Sequence, residues 1–383
     1  MSLDGVRVLD LTRLLPGAFC SLLLADMGAD VVKVEQPASG DYMRWYPPLL
    51  DGQSVLFNVL NRNKRSLTLN LKSGEGRDLF KELAARADVV VEGNRPGVMD
   101  RLGLGWSVLS ELNPRLVMCS ITGYGQDGPM AGHAGHDLNY MSVGGGLSLN
   151  AERHGRPHPL GVQVADIGGG GQSAAIAILG ALLDVARGGG GRFLDVSMTD
   201  GAFTWLAVPL AQMQATGEVL PPGMHRLTGR YACYDVYECA DGGFMSVGAL
   251  EPKFWKALCE ALERPDLVDY QYGEGEVQEH LRAEVAAVFR SRSRAEWTER
   301  LEGLEVCCEP VLELDEAIQH PQIEARDLVH HFPTGTEIAP AVRLDQDWRR
   351  LGPPRLGEHT DEVLSEIGIP PDRLEHLRAT GVL

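Results

Sequence analysis

The feature that most constrains this chain is the alternation of short apolar runs with segments of helix length. Residues 6–11 read as a buried strand, 17–27 as a helix stopped by Gly28, and 30–35 as a second strand. Strands at 67–71, 88–92 and 115–122 follow, with a helix at 74–86 between the first two. Parallel strands need helical crossovers, so this order predicts an α/β fold with a large, open, Rossmann-like sheet. Ligands of such sheets sit at the carboxyl ends of the strands, and the loops there are expected to carry the chemistry. The first loop, Thr12-Arg13-Leu14-Leu15-Pro16-Gly17, lacks the three glycines of a dinucleotide site, and Glu35 reads as a surface acid rather than a ribose ligand.

At 383 residues the chain exceeds the size at which one core stops growing, so two domains are expected. A helix at 199–216 leads to Pro221-Pro222-Gly223, which reads as an interdomain linker. Residues 234–238 and 243–247 then alternate around Ala240-Asp241-Gly242 and predict a hairpin, followed by helices at 253–262, 277–290 and 294–301. The expected division is a large α/β domain over 1–216, a linker over 217–228 and a smaller α+β domain over 229–320. Residues 321–383 are expected to return to the large domain, with a hairpin-like pair at 328–332 and 338–342 and two terminal helices.

A net charge of −18 repels phosphate, which argues against nucleic acid or an anionic membrane as partner. Any phosphate-bearing ligand must therefore meet a local cluster of cations. Two loops offer one: Arg62, Lys64 and Arg65 within 61–65, and Arg95 within 92–97. Taken alone, a charge run reads first as a solvated loop with surface ion pairs. The seven cysteines are odd in number and show no two-residue metal or redox spacing, which suits reduced thiols and a cytoplasmic location. Asp4 and the alternation after it do not resemble a signal peptide, no apolar stretch reads as long enough to span a bilayer, and no zinc-ligand spacing occurs, so no metal is expected.

Two stretches carry the candidate chemistry. His136 lies in AGHDLNY (134–140) after a glycine and before Asp137, which predicts an exposed ring at a helix start, with Tyr140 one turn on. Asp166 reads as the end of an extended segment, and Gly168 to Gly171 open a helix running to about 185. Glycine costs a helix roughly 1 kcal/mol per residue relative to alanine. A functional motive is therefore expected, with backbone N–H groups around Gly168 and Gly169 donating to a developing oxyanion. For Asp166 itself, a plain N-cap carboxylate is as good a reading as a catalytic one. The small residues of Thr122-Gly123-Tyr124-Gly125 would let backbone lie against a ligand, His133 reads as structural, and Glu251 reads as the cap of the helix opened by Pro252.

Several longer motifs carry a resemblance: GADVVKVEQP at 28–37, NRNKRS at 61–66, EGNRPG at 92–97, TGYGQDGP at 122–129, YECADG at 237–242 and LGEHTDEVL near the end. With them the chain resembles the family III (CaiB/BaiF-type) CoA-transferase superfamily over nearly its whole length. AGHDLNY, Asp166 and the turn containing Glu251 make it similar to the alpha-methylacyl-CoA racemase branch. The resemblance implies an interlocked homodimer whose active site joins the large domain of one chain to the small domain of the other. It also implies His136 and Asp166 as an acid/base pair, Glu251 hydrogen-bonded to the imidazole, and an acyl-CoA substrate with no separate cofactor. Arg62, Lys64, Arg65, Arg95, Gly123, Tyr124 and Gly125 are then expected around CoA, with Asp137, Tyr140, Tyr234, Gly168 and Gly169 in support. Asp166 also matches the nucleophile of the transferases, so His136 separates the two activities and Asp166 does not. The expected function is racemisation of 2-methyl-branched acyl-CoA esters, with CoA transfer through Asp166 as the alternative. A non-catalytic acyl-CoA binder would not need His136, Asp166 and Glu251 together, and residues 151–159 give no guide to the acyl group.

Overall fold

The alternating apolar runs assemble into one six-stranded sheet. In chain order its strands are β1 Arg7–Asp10, β2 Asp30–Glu35, β3 Lys64–Thr68, β4 Val89–Glu92, β5 Val117–Thr122 and β6 Arg192–Ser197. They pair in parallel in the order β3-β2-β1-β4-β5-β6. Val8, Leu9, Val32, Val89, Val90, Val91 and Val117 are wholly buried, as expected where helices cover both faces of a parallel sheet. Strand order reverses between β1 and β4, which opens a crevice beyond their carboxyl ends. This computed structural model describes residues 2–153, 155–342 and 347–383. His154, inside the 151–159 loop, and residues 343–346 of the returning segment lie outside the described residues.

Two strands differ from expectation for physical reasons. β3 begins three residues before the expected 67–71, because Lys64, Arg65 and Ser66 are buried in the sheet by partners distant in sequence. β6 is an edge strand with mostly exposed residues, so it lacks the apolar run that marks the others. Helix α1, Leu14–Asp26, starts three residues early, with Leu14 in the left-handed region at φ 62°. Helix α2, Gly74–Ala84, is capped by Ser73, whose hydroxyl accepts from Gly76 N–H.

The chain divides into two compact units. Unit 1 comprises Met1–Gly146, Leu160–Leu206 and Gln322–Leu383. Its core joins strand valines and leucines to Phe80 and to Val363, Leu364, Leu374 and Leu377 of the C-terminal helices. Unit 2 comprises Leu147–Pro159 and Ala207–Pro321. It holds an antiparallel sheet of Tyr234–Glu238, Phe244–Gly248 and Cys308–Pro310 over a core containing Trp255, Phe289 and Trp297. The expected boundaries are corrected at two places. The helix expected at 199–216 breaks into Met198–Thr204 and Ala207–Thr216, and the unit boundary falls in that break rather than at 217. Residues 147–159 also belong to unit 2, through Arg153, which pairs with Glu279 at 2.5 Å and with Asp235 at 3.8 Å.

The expected absence of a membrane-length apolar stretch is corrected too. The continuous helix Ala165–Ala186, 22 residues long, passes by length and composition. It packs along α1 and the β5–β6 edge of the sheet, as a core helix of a globular domain does.

Candidate active site

A cavity of about 420 Å³ opens in unit 1 at the carboxyl ends of β1, β4 and β5. Its wall is built from Thr12 to Gly17 after β1, Gly93 to Pro96 after β4, Ile121 to Gly123 after β5, the 131–136 loop, Tyr42, Tyr140, Asp166 and Met198. His136 and Asp166, 30 residues apart in sequence, thus face one space. The loop after β1, set aside at first for want of glycines, is a main wall.

A buried set of charges holds that loop. Asp10 accepts from Thr12 N–H at 2.8 Å, from Thr12 hydroxyl at 2.5 Å and from Ser21 hydroxyl at 2.6 Å. Lys33 Nζ donates to Thr12 carbonyl at 2.9 Å, and Lys64 Nζ lies 3.5 Å from Asp10 Oδ2. Burial alone would raise the Asp10 carboxyl, but the ammonium groups of Lys33 and Lys64 outweigh it and hold the group below its ordinary range. Lys64 moves the other way from a paired lysine, to about 8, because burial outweighs its share of the one carboxylate.

His136 caps helix α3, Asp137–Val143, and Asn139 Oδ1 accepts from its backbone N–H at 3.1 Å. The imidazole is exposed at the cavity. Asp137 turns toward the next segment, where its Oδ1 accepts from Ala165 N–H at 2.7 Å and Asp166 N–H at 3.0 Å. Among the described residues no cation is beside Asp166 to lower its carboxyl. Burial first, and the Asp137 charge second, push its carboxyl up to about 7. Tyr140 donates to Gly135 carbonyl at 2.5 Å, and burial and Asp166 push its phenol up to about 12.

The glycine-rich helix start needs correction. Residues 164–166 are not extended: Val164 is already helical, and Ala165–Gln172 form a π-helical turn that runs into helix α4, Ser173–Ala186. The N–H groups of Ala165 and Asp166 are spent on Asp137, so they are not open to an oxyanion. The glycines answer to packing. A Cβ on Gly168 would stand 2.2 Å from the Trp205 ring, and one on Gly169 would stand 2.7 Å from Met198 carbonyl. Gly123 is excluded from bearing a side chain by Tyr140 at 2.3 Å, whereas Gly125, at φ 86°, answers to a turn in which Thr122 hydroxyl accepts its N–H. Of Gly123, Tyr124 and Gly125, only Gly123 lines the cavity; Tyr124 packs edge-on against Tyr140 and His133. His133, read as structural, lines the cavity beside His136.

The basic loop is the largest correction. Arg62 is buried in a two-pronged pair with Asp26, at 3.1 and 2.6 Å, and lies 4.5 Å over the Trp348 ring. Lys64 is wholly buried among Asp10, Asn61 and Ala18 carbonyl. Arg65 is bound by Asp30, Glu362 and Glu366. These cations are spent on the fold and are not presented to phosphate. Glu35, read as a surface acid, is likewise buried, gripped by Arg44 at 2.8 and 2.7 Å. Arg95 is exposed in the cavity wall, and so is Arg13; neither forms an ion pair among the described residues.

Unit 2 holds the remaining candidates. Glu251 precedes Pro252 at the start of helix Pro252–Ala261, exposed, and lines a cavity of about 670 Å³ with Arg226, Leu250 and Tyr272. Tyr234 opens its strand and lines a separate cavity of about 580 Å³ with Ser246 and Cys307. Among the described residues no group of three or more His, Cys, Asp or Glu is placed to hold a metal ion.

The sequence profile of CoA-transferase family III matches residues 3–360. The chain belongs to this family. Among family III relatives, human alpha-methylacyl-CoA racemase is 34% identical over 402 residues, covering 100% of this chain and 98% of the relative. Human succinyl-CoA:glutarate CoA-transferase is 33% identical over 395 residues, covering 100% and 90%. A crystal structure of a CAIB/BAIF family protein from Brucella suis superposes with a TM-score of 0.83 at 30% identity, over 95% of this chain and 98% of that one. Family III thus brings racemases and transferases to nearly equal similarity, and the choice between them turns on the cavity.

Proposed function

We propose that the chain is a racemase or epimerase of 2-methyl-branched acyl-CoA thioesters. The observation that carries this reading is that an exposed imidazole, His136, and an aspartate pushed up to about 7, Asp166, line the same cavity. One group takes the α-proton, the electron pair is held as an enolate, and the other returns a proton to the opposite face. A carboxyl near 7 is present in both forms at working pH, so it serves as acid toward one enantiomer and base toward the other. Asp137 keeps Asp166 in place through its backbone and keeps its proton affinity high through charge.

In this reading Arg95 meets the phosphates of CoA, and CoA enters as part of the substrate with no separate cofactor. A homodimer brings Glu251 of one chain to the imidazole of its partner. Exposed apolar side chains along α4, Ile176 at 71% and Leu183 at 52%, support such a partner surface. The seven unpaired cysteines support a reducing, cytoplasmic compartment.

The similarity to a CoA-transferase favours a second reading. There the Asp166 carboxylate attacks the thioester carbonyl, the C–S bond breaks, CoA leaves as thiolate, and an acyl anhydride remains on Asp166. Incubating a single enantiomer of 2-methylacyl-CoA in deuterated water without a second acid separates the two. Racemisation with deuterium at the α-carbon is expected. No exchange, with hydroxylamine trapping an acyl group on Asp166, would give the transferase reading the lead.

A further inference from the structure

Arg13 stands in the same wall, on the loop between β1 and α1. Its guanidinium carbon lies 5.6 Å from the centre of the Tyr42 ring. The backbone on which both side chains stand is held from behind by one buried charge network. Thr12, the preceding residue, is tied by Asp10 through its N–H and by Lys33 through its carbonyl. The same Lys33 pairs at 3.0 Å with Asp41, whose other oxygen caps the turn that begins at Tyr42. The segments bearing cation and aromatic platform are therefore held by one network, with the guanidinium over the ring, a contact that favours an arginine over a lysine.

The backbone after Arg13 also packs against the Asp166 helix. A Cβ on Gly171 would stand 2.9 Å from Pro16 carbonyl. The Arg13 loop is thus anchored to the element bearing Asp166, whereas Arg95 stands on the loop after β4. Among the described residues that this unit contributes, the aliphatic lining is short, with Leu14, Ile121 and Met198 as the only non-proline aliphatic side chains larger than alanine. A long hydrocarbon tail finds little wall here, and an uncommitted guanidinium is costly to leave facing one.

We propose that Arg13, laid on Tyr42, receives a carboxylate at the far end of the acyl group, so that the substrate is a monothioester of a branched dicarboxylic acid. This rests on reading the cavity as the site of the thioester α-carbon. A planar guanidinium donates two parallel hydrogen bonds to a carboxylate, which gives such an acid both affinity and a fixed direction in the cavity.

The test compares two esters of matched shape on the full chain. One is the 1-thioester of 2-methylglutaric acid with CoA; the other is 2,5-dimethylhexanoyl-CoA, in which an isopropyl group replaces the distal carboxylate. Affinity is measured by calorimetry and α-hydrogen exchange by mass. The parent protein is expected to bind the acid on the order of ten- to a hundredfold more tightly, as a charged hydrogen bond allows. Arg13→Met should bring that ratio toward one, and Arg13→Lys should keep part of it. A parent without preference, or Arg13→Met with the parent ratio, would overturn the proposal. So would Arg13→Met weakening free CoA as much as the acid ester, since Arg13 would then be a phosphate ligand. If neither ester exchanges its α-hydrogen, the racemisation reading fails while the binding ratio still decides the role of Arg13.

Discussion

Asp10 and Asp166 are aspartates of the same unit, both drawn out of water close to the same cavity, and the fold treats them in opposite ways. Asp10 is wholly buried, with two ammonium groups and two hydroxyls around it, and its carboxyl is held below the ordinary range. Asp166 has, among the described residues, no cation but a second carboxylate nearby, and its carboxyl is pushed up to about 7. Desolvation raises both; the neighbours decide the outcome. One aspartate is an anchor that stays charged. The other is poised near neutrality, which is where reactive groups are commonly tuned, and the proposed reaction uses it as a proton carrier.

The widest separation between the two should appear in turnover. In the proposed reaction Asp166→Asn removes one of the two proton carriers and leaves shape intact, so inversion should fall by about 10²–10⁴-fold, and His136→Ala should cause a loss of the same order, while each variant keeps α-hydrogen exchange from the enantiomer that faces its remaining base. Inversion near the parent rate in either variant, with configuration and deuterium followed together from each enantiomer in deuterated water, would remove that residue from the pair. Asp10→Asn should do its damage to stability. It leaves Lys33 and Lys64 buried without their shared carboxylate, and breaking a buried pair from one side costs about 3–5 kcal/mol. A urea midpoint equal to the parent's would show that the lysines find other partners.

A smaller effect is expected from the uncommitted cation at the other side of the cavity. Arg95→Ala should weaken CoA-ester binding by about 1.5–3 kcal/mol if a charged hydrogen bond to phosphate is lost. By contrast Arg62→Ala should destabilise the protein through Asp26, left buried and unpaired, rather than act on affinity alone. Calorimetry with free CoA on both variants distinguishes them, and an unchanged affinity in Arg95→Ala would take Arg95 out of the site.

The same contrast explains what could be read from the sequence. β2, the hairpin strand Tyr234–Glu238 and the helix Arg294–Leu301 fall on the expected residues, because apolar period and turn residues act locally. That His136 and Asp166 face one space was legible, since each stands at a turn flanked by glycine. Arg62 and Arg65 were not legible as structural, since their acids lie 36 residues away at Asp26 and 301 away at Glu366. β3 was misplaced for the same reason: its first residues are polar and buried only because the folded chain supplies carboxylates to them. The role of the four glycines depended on Trp205, Met198 and, for Gly171, Pro16 and Phe19, whose approach no local pattern announces. Arg13 was passed over because the loop was judged by the glycines it lacked, while its wall position follows from strand order.

The finest test of the contrast is the pH dependence of stability. An unfolded aspartate titrates near about 3.9, whereas folded Asp166 titrates at about 7. The folded protein therefore binds the Asp166 proton more tightly than the unfolded chain. The stability this contributes is fully present below about pH 4 and is lost as pH rises through 7. Asparagine cannot titrate, so the stability of Asp166→Asn relative to the parent should grow between pH 4 and 8. After allowance for solvent screening of a partly exposed group, the change should be about 1–2 kcal/mol. Asp10 has the opposite sign: its contribution is present above the ordinary aspartate range and is lost only as pH falls below it, so it does not move in this window. Urea midpoints of parent and Asp166→Asn at pH 5 and pH 8 measure the difference. A gap that does not change with pH would mean that Asp166 is ionised throughout, and its part in proton return would fall with it.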